Sequence, residues 1–147
     1  MFKAKATARA TGVMTAMMIG AGFVLGGASQ ANAMGPMVDA MDQDVSGGTV
    51  TASKIMAGEN GWLVVHRTGN DMKPGPVVGY APLKAGENMD VAAILQEPVE
   101  SGDMLMLMVH SEAGGMKTGV FEYTLGAKED GPIKPDGKLV MKVISAK

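Results

Sequence analysis

The sequence has no cysteine. That excludes disulfides, thiolate metal ligands and a lipid-bearing cysteine. It also excludes a blue-copper centre of the usual kind, which requires a Cys ligand. Aromatic residues are scarce, with one Trp, two Tyr and three Phe, and there are only two histidines. Basic residues are not in excess: 13 Lys and Arg face 15 Asp and Glu. A nucleic-acid partner, which needs a basic surface, is therefore not expected. No apolar run is long. The best candidate, near 13–25, is broken by glycine and falls short of the roughly 20 residues that span a membrane.

What is present begins with a leader pattern over residues 1–33. Lys3, Lys5 and Arg9 supply a positive start, and no acidic residue precedes Asp39. The apolar stretch follows, then Ala31-Asn32-Ala33, a small-x-small cleavage pattern. This order predicts a secretory signal peptide, with the exported chain starting near Met34 and lying in the periplasm or outside the cell. Without Lys3, Lys5 and Arg9, the 13 basic residues fall to 10 against 15 acidic ones, a net of −5. The 114 residues from Met34 onward suffice for one domain. After cleavage no integral membrane segment is expected.

Residues 34–48 are Met- and Asp-rich and read as a lead-in to a domain over 49–147. Short β-branched or alternating runs follow at 49–55, 62–66, 77–81, 89–96, 104–111, 120–125 and 138–144. Between them lie Gly, Pro, Asn and Asp clusters, where strands end because Gly supplies positive φ and Pro fixes it. No helical apolar stripe persists. The pattern predicts an all-β fold, a sandwich of about seven strands and immunoglobulin-like size.

Three runs are apolar on both faces: 62–65, 91–95 and 104–109. A two-layer sandwich buries one face of each sheet. Something must then shield the second face: the lead-in, a long loop, a partner or a ligand.

Of the 15 methionines, 11 lie beyond residue 33. Met104, Met106, Met108 and His110 alternate, so on a strand they share one face. Thioethers suit Cu(I), and imidazole suits copper in either state. Equally, Met is a flexible core filler, and such a stripe serves packing. Successive same-face residues stand about 6.5–7 Å apart, so one ion reaches two neighbours and not all four. His66 and His110 each end an apolar run. On neighbouring strands the imidazoles could meet at one end of the sheet, with Met108 or Glu112 completing a metal site. Alternatively, each His pins a strand end through a loop backbone. Met34, Met37 and Met41 form a looser cluster, either a Cu(I) lure or an apolar strap.

Other constellations are weak. Asp39, Asp42 and Asp44 lack the spacing and downstream Glu of a calcium loop. Ser111 has no Gly-x-Ser-x-Gly context. No enzyme activity is expected.

Asp42-Gln43-Asp44, Gly61-Trp62-Leu63-Val64-Val65-His66, Gly86-Glu87-Asn88, Leu105-Met106-Leu107-Met108-Val109-His110 and Asp130-Gly131-Pro132 form a pattern. It resembles an uncharacterised β-rich domain of exported and cell-surface archaeal and bacterial proteins. The resemblance spans residues 42–143 and brings no established activity. It implies that His66 and His110 belong to the common design of the domain and share a role, structural or metal-binding.

The sequence thus predicts an exported, non-catalytic binding or structural module of the cell envelope. It would work through an apolar sheet face, with a protein partner or a second copy. The alternative is a periplasmic copper-binding protein using His66, His110, Met104, Met106 and Met108.

Overall fold

The computed structural model describes residues 34–147. The predicted leader, residues 1–33, lies outside the described residues. Seven strands form: β1 (Met37–Asp39), β2 (Thr49–Ala57), β3 (Gly61–Thr68), β4 (Val77–Leu83), β5 (Gly86–Leu95), β6 (Met104–Ser111) and β7 (Met141–Ser145). All belong to one sheet of order β1-β2-β5-β4-β3-β6-β7, and every neighbouring pair is antiparallel. The sheet is nearly closed, because a bridge between Gln43 and Ala146 brings its two ends together. Among the described residues no helix is long and apolar enough to cross a membrane.

The lead-in is part of the fold. It contributes β1, and the Gln43 side chain behaves as a strand residue. Its Oε1 accepts from the Thr51 amide at 2.7 Å, and its Nε2 donates to the Thr51 carbonyl at 2.8 Å.

The inner face carries the main core. Val50, Ala52 and Ile55 of β2, Leu63 and Val65 of β3, and Leu105, Leu107 and Val109 of β6 pack there with Val78, Ala93 and Ile144. Strand alternation then turns Trp62, Val64 and His66 of β3 and Met106, Met108 and His110 of β6 to the opposite face. These six residues are also buried. The connection from β6 to β7, residues 112–140, supplies Phe121 and Tyr123 against this second face. For β3 and β6 the expected shield is therefore a long loop of the same chain; β5 lies apart from them, between β2 and β4, and its second face is not shielded, with Ile94 70% exposed.

Residues 120–125, expected as a strand, are not one. Two of their amides are taken outside any ladder: Val120 N–H donates to the Lys117 carbonyl, and Glu122 N–H to the Asp130 carboxylate. Gly119 and Gly126 flank them with φ of 80° and 85°, which breaks an extended ladder.

Candidate functional site

β3 and β6 lie side by side, in a register that sets Trp62 opposite His110, Val64 opposite Met108, and His66 opposite Met106. Their backbones approach closely at Gly61, where a Cβ would stand 2.2 Å from the His110 carbonyl oxygen. On the other side of β3 the register with β4 slips between Val65 and His66, leaving Val78 as an extra residue. A bulge of this kind bends the strand and increases its twist. On the unbroken β3–β6 ladder the two imidazoles, four register positions apart, meet on the face that carries Val64 and Met108. They meet at mid-face rather than at one end of the sheet.

His66 Nε2 lies 3.3 Å from His110 Nε2. The rings meet edge to edge, with centroids 5.4 Å apart and planes inclined by 29°. His66 is 0% exposed and His110 1%. Each ring's other nitrogen is committed. His66 Nδ1 donates to the Gly75 carbonyl at 2.7 Å, and His110 Nδ1 donates to the Asp130 carbonyl at 2.6 Å. Carbonyl oxygens only accept, so both Nδ1 atoms carry hydrogen. Both Nε2 atoms of the neutral pair therefore present bare lone pairs to each other. Burial pushes the proton affinity of both rings down despite these carbonyls. His110, which also faces His66, is lowered to about 4.

Two lone pairs held this close repel unless a cation lies between them. An ion about 2.0–2.1 Å from each nitrogen, the zinc–imidazole distance, fits nitrogens about 3.3–3.4 Å apart only at a bent, near-tetrahedral angle, off the line that joins them. The observed separation matches that bite. An Nδ1–H to carbonyl bond behind each ring is also the support that orients metal-bound imidazoles.

Register places the predicted methionines unequally. Met108 sits midway between the two His positions along β6, and Met106 sits opposite His66. Both are fully buried. Met104 lies at the far end of the strand, opposite Thr68 and Ser145. Among the described residues no group of three or more His, Asp or Glu side chains assembles as a metal site, so Glu112 does not complete the pair.

Aromatics wall the pair. Beyond residue 33 the sequence holds four, Trp62, Tyr80, Phe121 and Tyr123. Tyr123 stands edge-on to His110 at 4.6 Å and to His66 at 5.9 Å. Phe121 packs on Tyr80 at 4.4 Å and on Trp62 at 5.5 Å. The i, i+2 spacing of Phe121 and Tyr123 suits a strand, and Asp130 falls in a Gly, Pro and Asp cluster that suits a turn.

The fold and site define a small all-β module with a dry, aromatic-walled histidine pair under its longest loop. The chain belongs to the family described as a domain of unknown function (DUF7282), which matches residues 36–147. No curated protein and no solved structure matches the chain significantly.

Proposed function

We propose that this protein is a non-catalytic copper-binding module that holds one Cu(I) ion between His66 Nε2 and His110 Nε2. The observation that carries the reading is the 3.3 Å gap between two nitrogens whose partner nitrogens are both tied to carbonyls. Copper is favoured over harder or divalent ions by the surroundings. The cost of burying an ion rises steeply with its charge, and among the described residues no carboxylate joins the pair in a metal-binding group of three or more side chains. Met108, with its soft thioether, occupies the register position between the rings. An oxidising compartment, as the leader pattern suggests, suits a thioether-and-imidazole site without thiol.

On β3 and β6 the apolar interface suggested by the two-faced strands has less to stand on. The Met and His face of β3 and β6 is already covered by residues of the same chain.

Anaerobic titration with Cu(I) against a chromophoric chelator, and separately with Cu(II), tests the proposal. The expected result is one equivalent of Cu(I), lost in a His66→Ala, His110→Ala variant that keeps its β-sheet circular dichroism. Absence of binding, or a variant that binds as tightly as the parent, overturns it.

A further inference from the structure

The histidine pair is sealed, so an ion reaches it only if the cover opens. The cover is the first part of the β6–β7 connection, residues 112–129, and most of its side chains are exposed. Its internal backbone bonds are local, from Val120 N–H to the Lys117 carbonyl and from Ala127 N–H to the Thr124 carbonyl. Segments with few buried contacts and short-range bonds are those that open first.

One residue ties the cover down. Asp130 is 0% exposed, and among the described residues its carboxylate joins no ion pair. Instead Oδ1 accepts the Ala113 amide at 3.1 Å, and Oδ2 accepts the Glu122 amide at 2.8 Å. Glu122 lies between Phe121 and Tyr123, the two rings that roof the site. Asp130 N–H donates to the Ala113 carbonyl at 2.8 Å, which closes the base of the loop. The Asp130 carbonyl is the acceptor for His110 Nδ1. The residue takes a left-handed φ of 45°, which Asp tolerates better than most residues. A single turn therefore grips the roof with its side chain and sets the His110 ring with its backbone.

We propose that Asp130 is a positioning latch: it closes the 112–129 cover over the pair, fixes the His110 tautomer, and gates entry and exit of the ion. The proposal rests on the copper reading above. Releasing the Glu122 amide frees the roof, and the same movement slackens the hydrogen bond that aims the His110 lone pair. Opening and loss of ligand orientation are then one event.

The test compares the full chain with Asp130→Gly and Asp130→Asn. Glycine keeps the carbonyl and the left-handed turn and deletes only the carboxylate. Asparagine keeps the volume and one acceptor, and serves if the glycine variant does not fold. Glu129→Gln, an exposed neighbour, is the control. Two readouts are taken: transfer of Cu(I) to excess chelator in stopped flow, and nuclear magnetic resonance of amide exchange and imidazole tautomers.

The expected outcome is one equivalent of copper in each variant, released about tenfold faster or more when the latch is cut. In the metal-free variants the Ala113 and Glu122 amides exchange faster while β2 and β5 amides keep their rates, and His110 loses its single Nδ1–H tautomer. Release at the parental rate despite an opened cover overturns the gating claim. If the parent binds no copper, the copper reading fails by itself. The latch is then judged by the tautomer, and a His110 that stays wholly Nδ1–H in both variants overturns it.

Discussion

His66 Nε2 and His110 Nε2 face each other at 3.3 Å across the middle of the β3–β6 ladder. Their residues are 44 apart in sequence and four register positions apart on the sheet. The pairing depends on three backbone partners, the carbonyls of Gly75 and Asp130 and the close strand approach at Gly61.

Without metal the protein is expected to lose stability in mild acid. Burial lowers His110 from 6.5 to about 4, so the folded state resists a proton that the unfolded state accepts. Between those values the unfolded chain binds more protons, and stability falls as pH falls. Below about 4 this contribution levels off. The loss is up to about 3 kcal/mol, at about 1.4 kcal/mol per tenfold change in proton affinity. Urea unfolding from pH 7.5 to 4 checks it, and a His110→Gln variant should show a flatter profile.

Met108→Leu separates ligand from filler. The swap nearly conserves volume, so the metal-free protein should lose less than about 1.5 kcal/mol. Cu(I) affinity should fall about tenfold or more, because leucine offers no soft donor. Equal affinities in chelator competition would leave Met108 as packing alone.

Gly61→Ala is expected to be costly although alanine is small. Its Cβ would stand 2.2 Å from the His110 carbonyl oxygen and 3.5 Å from the Ser111 Cα, both backbone. The strands must part, and a loss of about 2–4 kcal/mol in chemical denaturation is expected. Copper affinity should fall with it, since the same shift moves His110.

Trp62 should report binding. It lies on the same face as the pair, and its ring packs at 5.5 Å on Phe121, which in turn lies 6.3 Å from His110. It is also the sequence's sole tryptophan. Stoichiometric Cu(I) should change its fluorescence, with the break point at one equivalent. The His66→Ala, His110→Ala variant should show no such break.

Much of this architecture was legible from residue order. Alternation in Leu105, Met106, Leu107, Met108 and Val109 fixed both the strand and its two faces, because side-chain period in a strand is fixed at two. The need for a shield over the second face followed from the same residues. The shield itself did not. Phe121 and Tyr123 alternate as strand residues do, yet the Asp130 carboxylate takes the Glu122 amide that a ladder would need. Competition between a distant side chain and the backbone leaves no local trace. The meeting of His66 and His110 was legible as a possibility and its place was not, since the register of β3 on β6 is set only once the strands pair. Asp130 was legible as a turn residue; its grip on both loop and imidazole exists only in three dimensions.

One further consequence follows from the way β7 is bordered. Asp42 Oδ1 accepts the Ser145 amide at 2.9 Å, Gln43 N–H donates to the Ser145 carbonyl, and Lys147 N–H donates to the Gln43 carbonyl. The C-terminal end of β7 thus has little vacant hydrogen-bonding capacity on its outer side. Crowded molecules would find few free amides there through which to zip into fibrils, a safeguard otherwise provided by lysines or prolines on a border strand.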